Sequence, residues 1–172
     1  MYRVDHRDKV IALAGVPQSS VGAPLPVVLA NENARLLAYY TEAPHPTWNG
    51  TNPRSVSADT TEDPVAVLDF GLARAHYFGP PNDEAFGGHP LAARGLSPYG
   101  AFEVLDSSWI RLLSEMNSVH PRHSPALFAG LRHFIFCFHD NTFECIAKSF
   151  DVTIIAGPLA RAVAEVQEWL FG

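Results

Sequence analysis

The run HYFGPPNDEAFGGHP, residues 76 to 90, carries two imidazoles and two carboxylates, His76, Asp83, Glu84 and His89. Acids and imidazoles gathered in one cleft can serve as general acid and base or hold a divalent ion. These four are therefore the catalytic candidates for a small metal-assisted hydrolase. A second run, RHFIFCFHDNTFECIA (132 to 147), contributes Cys137, His139 and Glu144 as ligand-binding candidates. Thiolate, imidazole and carboxylate all bind zinc, and three of them with an open fourth position make a catalytic centre. A third, His120-Pro121-Arg122-His123, sets cations just beyond a predicted helix end, where they offset the carbonyl end of the helix dipole.

No further motif completes a catalytic set. The chain has no GxSxG, Walker loop, HExxH or Rossmann glycine fingerprint. His6-Arg7-Asp8 and Asp69-Phe70-Gly71 match kinase fragments, but neither the required asparagine nor a nucleotide-binding glycine loop accompanies them. Within 76 to 90 no nucleophile accompanies the acids. The favoured reading is a structured loop in which Asn82, Asp83 and Glu84 bond their own backbone while Pro80, Pro81 and Pro90 fix its path.

The second run is tested by strand register. A two-residue tip at Asp140-Asn141 sets His139 opposite Thr142, Phe138 opposite Phe143 and Cys137 opposite Glu144. Period-two alternation then puts Phe134, Phe136, Phe138, Phe143, Cys145 and Ala147 on a core face. His133, Ile135, Cys137, His139, Thr142, Glu144, Ile146 and Lys148 fall on the other. The second face is expected to be solvated or covered by a helix, and a divalent metal is the less favoured reading. The two cysteines fall on opposite faces, so they are expected to be reduced thiols.

The elements around these runs read as α+β with a largely antiparallel sheet. Leu25 to Leu29 and Arg35 to Tyr40 flank the turn cluster Asn31-Glu32-Asn33 as a hairpin, with a short helix over 32 to 40 as competitor. Val65 to Phe78 reads as one long central strand bent near Gly71. Gly79 to Gly100 is too rich in proline and glycine for long elements, yet Phe78, Phe86, Leu91, Leu96 and Tyr99 give it apolar anchors. After a strand at 101 to 105, Asp106-Ser107-Ser108 caps a helix near 108 to 118 with Trp109, Leu112, Leu113 and Met116 on one stripe. A C-terminal helix near 158 to 170 starts at Pro158 and aligns Leu159, Val163, Val166 and Leu170. Residues 45 to 64 form a long surface loop.

At 172 residues and 47% hydrophobic content, the chain has material for one core, so 1 to 172 is expected to be a single domain. A formal charge of −6 repels phosphate backbones and anionic bilayers, and no apolar run is long enough to span a membrane. The expected partner is a protein or small-molecule ligand, and the expected location is cytoplasmic.

The runs FGPPNDEAFGGHPLAARGLSPYG, SSWIRLLSEMNSVHP and LRHFIFCFHDNTFECIA resemble an uncharacterised group of small bacterial proteins. That resemblance spans roughly residues 76 to 147 and implies no activity. In size and charge alone the chain also resembles acidic single-domain immunity proteins of bacterial toxin systems, which act by surface complementarity. The expected function is therefore non-catalytic binding, with the 79 to 100 loop and the polar hairpin face as recognition surface. The metal-assisted hydrolase is the alternative.

Overall fold

The computed structural model describes residues 2–42 and 55–171, so the first half of the loop predicted over 45 to 64 lies outside the described residues. Among the described residues two antiparallel sheets stack face to face. One holds β1 (Lys9–Ala12), β6 (Ala101–Leu105), β7 (Arg132–Cys137), β8 (Thr142–Ala147) and β5 (Ala75–Gly79), in that order. The other runs β2 (Val27–Ala30), β3 (Arg35–Tyr40), β4 (Pro64–Gly71) and β9 (Ser149–Ala156). The expected α+β class with antiparallel pairing holds, but the sheet is two sheets rather than one.

The alternation of apolar side chains explains the stacking. Phe134, Phe136, Phe138, Phe143, Cys145 and Ala147 of the first sheet meet Leu37, Tyr39, Ala66, Leu68 and Phe70 of the second in one dry layer. Phe70 touches the rings of Phe134, Phe136, Phe143 and Phe150, with centroids 5.4 to 6.0 Å apart. Because β3 and β4 are apolar on both faces, the second sheet needs a cover on its far side. Helix α3 (Leu159–Gln167) supplies it, packing Leu159, Ala162 and Val166 on Leu36, Ala38, Tyr40, Val65 and Val67. Pro158 precedes this helix as its N-cap rather than forming its first residue.

The run 65 to 78 is not one bent strand. It breaks at Leu72, whose φ of +53° is left-handed, and the chain crosses from β4 inside one sheet to β5 at the edge of the other. The hairpin at 25 to 40 forms as β2 and β3, not as a helix. Helix α1 (Ser108–Asn117) starts at the expected cap, where Ser107 Oγ accepts from Trp109 N and Ile110 N. A one-turn helix, α2 (Ala126–Ala129), packs against it. No described helix is long and apolar enough to cross a membrane.

The outer face of the first sheet is also covered. Phe86, Leu91 and Leu96 of the 79 to 100 loop, Tyr2 of the N-terminal segment and Trp109 of α1 pack over Phe102, Val104, Ile135 and Cys137.

Candidate functional site

The hairpin β7–β8 pairs two residues out of its predicted register, with its two-residue tip one position earlier. Phe138 N donates to Asn141 O, and Cys137 pairs with Thr142 and Ile135 with Glu144, so the tip is His139-Asp140. A shift of two leaves every side chain on its predicted face. It does carry His139 off the end of the ladder, away from Cys137 and Glu144. The face expected to meet solvent or a helix is covered by Trp109 of α1 and by Tyr2 as well as by the loop that holds His89, so Cys137 and Glu144 are buried while His139 stays half-exposed.

Under that cover lies a closed polar cluster. Glu144 and His133 are fully buried, and His89, Ser107 and Tyr2 are at most 5% exposed. Glu144 Oε2 accepts from Tyr2 OH at 2.6 Å and from His133 Nε2 at 2.9 Å, and Oε1 meets His89 Nε2 at 3.3 Å. The protons can be assigned from the donors around each ring. Leu91 N–H points at His89 Nδ1 (3.1 Å), so that nitrogen is an acceptor and the proton sits on Nε2. Ser107 Oγ already accepts the two backbone N–H groups of α1, which leaves its own hydrogen for His133 Nδ1 at 2.9 Å. Both histidines therefore present N–H, not a lone pair, to the carboxylate.

This assignment decides what the cluster can do. His89, His133 and Glu144 have the residue types of a zinc-hydrolase ligand set, but ligation needs an Nε2 lone pair on each ring. Moving the proton to Nδ1 of His89 would aim it at the Leu91 N–H. The chain Ser107–His133–Glu144 likewise has the connectivity of a catalytic triad, yet its hydroxyl is buried and committed as a helix cap. Among the described residues Ser108 Oγ is the sole buried side-chain nitrogen or oxygen without a hydrogen-bond partner, so every polar atom of the cluster is satisfied. No described set of three or more His, Cys, Asp or Glu side chains is arranged to hold a metal ion.

Titration follows the same geometry. Burial alone would raise the Glu144 pKa, but the bonds from His133, His89 and Tyr2 outweigh it and hold the carboxyl at about 2. Burial first, and the Glu144 charge second, push the Tyr2 hydroxyl far above its ordinary value and the Cys137 thiol up to about 12. Cys145, buried on the opposite face, is also pushed up to about 12, and both are free thiols.

The remaining candidates disperse. His76 sits at the sandwich edge and accepts from Arg35 Nε at 2.9 Å; burial, then the Arg35 charge, lowers its pKa. Glu84 is exposed. Asp83 and His139 do meet, with Asp83 Oδ2 3.0 Å from His139 Nδ1, beside Tyr99, whose hydroxyl donates to Asp83. Tyr99 takes a left-handed φ of +60° there. Its hydrogen bond is the main cause lowering the Asp83 pKa, and the same bond pushes the Tyr99 hydroxyl up to about 12. Asp83 thus orients a half-exposed imidazole in the manner of a general base.

Neither member of this pair lines the two described cavities. The cleft that Tyr99 borders holds about 60 Å³, and neither Asp83 nor His139 lines it. Small-molecule sites run from roughly 300 to 1,000 Å³. A groove of about 390 Å³ opens instead between α1 and α2, lined by Arg74, Leu113, Met116, Asn117, Leu127 and Phe128.

Sequence reading placed Glu144, Cys137 and His133 on one face and Ser107 at the cap. It missed Tyr2 as a partner of Glu144, and Asp8, whose buried carboxylate accepts from Ser108 N at 2.6 Å. Neither carries a local signal, since both act across more than ninety residues of chain. No protein-family model matches this sequence, and no curated protein or solved structure matches it either.

Proposed function

We propose that this chain is a non-catalytic binding domain that presents the α1–α2 groove to a protein partner. One observation carries the reading: neither Asp83 nor His139 lines either described cavity, and the larger groove, of about 390 Å³, is lined by no acid, histidine or nucleophile. The groove also gathers exposed apolar surface, with Met116 64% and Leu127 58% exposed. A cluster of this kind on a protein surface marks an interaction site. Size and net charge fit the loose likeness to immunity proteins, and the charge disfavours nucleic acid as partner. Two free cysteines on opposite faces of one sheet support a reducing, cytoplasmic setting.

The metal-assisted hydrolase remains the second reading, supported by the Asp83–His139 pair alone. The test compares Met116→Glu and Leu127→Glu with Asp83→Asn and His139→Ala in the native host. The first two are expected to lose a stoichiometric co-purifying partner, and the second two to keep it. Hydrolysis of simple ester or phosphoester substrates that vanishes with His139→Ala would overturn the binding reading.

A further inference from the structure

The lining of the α1–α2 groove holds one cation, Arg74, and no acid, although the chain as a whole is acidic. Between Ser107 and Leu131 lie Arg111, Arg122, His120 and His123 but one acid, Glu115, whereas the whole chain has a formal charge of −6. Arg74 lines the groove, and His123 meets two of its lining residues, with its ring tilted 6.0 Å from that of Phe128 and its Nδ1 3.0 Å from Asn117 Oδ1. Arg111 is neutralised by Asp5 at 2.6 Å, but Arg74 and Arg122 are exposed and in no ion pair among the described residues.

The apolar floor is equally unspent. Of the α1 stripe, Trp109 packs on Tyr2 and His133, but Leu112 and Met116 are exposed and Leu113 is only partly buried. Its neighbour α2 buries none of its side chains fully. Two short helices thus leave an apolar trough open beside the unpaired guanidinium of Arg74.

We infer that this groove accepts a segment of a partner protein that carries apolar side chains flanked by carboxylates. The inference rests on the binding-domain reading and adds the chemistry of the partner. Apolar side chains fill the trough between Leu113, Met116, Leu127 and Phe128, and carboxylates meet Arg74 in its lining and Arg122, the exposed sequence neighbour of the His123 that contacts Asn117 and Phe128. A trough between helices takes protruding side chains rather than a flat bilayer, and the acidic remainder of the chain opposes approach to anionic lipid.

The experiment uses the full chain with a photoreactive benzoyl-phenylalanine in place of Met116 or, separately, of Ile154 on β9. Each is irradiated in extract of the native host, and the crosslinked peptide is sequenced. The expected result is one segment captured from position 116 that combines apolar residues with net negative charge. Its yield should fall roughly tenfold with Arg74→Glu plus Arg122→Glu and stay unchanged with Lys9→Glu. A basic or uncharged segment at 116, or an unchanged yield in the double variant, overturns the inference. So does pelleting of the chain with phosphatidylserine vesicles that competes with capture. Capture from 154 and none from 116 overturns it while leaving the binding reading standing, and no stoichiometric capture from either position overturns both.

Discussion

Replacing Glu144 by glutamine keeps the shape of the buried cluster and removes its charge. Three donors converge on the carboxylate, from Tyr2, His133 and His89. A glutamine has one oxygen to offer them. If that oxygen serves Tyr2 and His133, the amide NH₂ faces the His89 Nε2–H, and His89 cannot reverse its tautomer because Leu91 N–H occupies its Nδ1. Bonds to a charged group weaken to neutral ones and one donor pair is left opposed, for a loss of roughly 3 to 5 kcal/mol. In a chain of this length that lowers the melting temperature by roughly 10 °C.

The same bonds make the contribution of Glu144 depend on pH. The Glu144 pKa is depressed in the folded state from an ordinary 4.5 to about 2. Its contribution is therefore complete above about pH 4.5 and is lost as pH falls toward 2, and it amounts to about 3 kcal/mol. Urea unfolding followed by tryptophan fluorescence at pH 6, 4 and 3 should show Glu144→Gln much weaker than the parent at pH 6, with the gap narrowing in acid. Glu62→Gln, which breaks an exposed pair at 3.9 Å, is the reference and should cost almost nothing. A Glu144→Gln protein within 1 kcal/mol of that reference at pH 6, or a gap that stays constant with pH, would refute the reasoning.

Four other outcomes are expected. Ser107→Ala removes both a helix cap and the donor to His133, costing about 2 kcal/mol in thermal unfolding, and Ser107→Thr should recover most of it; equal effects from both would contradict the cap. Gly157→Ala would set a methyl carbon 2.6 Å from Thr61 O and 2.7 Å from Asp63 O, so a loss of about 2 kcal/mol is expected, and an unchanged melting curve would show the backbone there to be pliable. Cys137 and Cys145, both pushed up to about 12, should resist an aromatic disulfide reagent at pH 8 until urea is added; rapid labelling of the folded chain would contradict their burial. In ultraviolet titration Asp83→Asn should return one phenol from about 12 toward its ordinary 10.0, and Tyr99→Phe should delete that same phenol; the same high-pH transition in all three proteins would count against the Tyr99–Asp83 bond.

Much of the fold was legible because its rules are local. The phenylalanine face of the β7–β8 hairpin was assigned correctly although the turn was misplaced, since a register error of two preserves sidedness. Helices α1 and α3 announced themselves through a serine cap and an i, i+3, i+4 stripe. What escaped was non-local. The division of residues 65 to 78 between two sheets turns on Leu72 at positive φ, a conformation that no residue type there signals. Of the candidate site, Glu144 and His89 were both identified, but in separate groups, because their meeting depends on where the 79 to 100 loop lies. Composition did not show what would lie over the polar face, and the covering Tyr2, more than seventy positions from any candidate, gave no hint of itself.

The bond from Tyr2 to Glu144 spans 142 positions of sequence. Loop-closure entropy makes such a contact among the last to form and weighs on the folding rate. Until β8 has been synthesised, the N-terminal segment has no carboxylate to bind, and Ile135 and Cys137 lack part of their cover. The growing chain must then expose a strand rich in phenylalanine and isoleucine without its neighbour, which is the state most open to wrong pairing. A cell making this protein thus meets its greatest aggregation risk late in synthesis, and variants that weaken the Tyr2 contact should lower soluble yield more than they lower equilibrium stability.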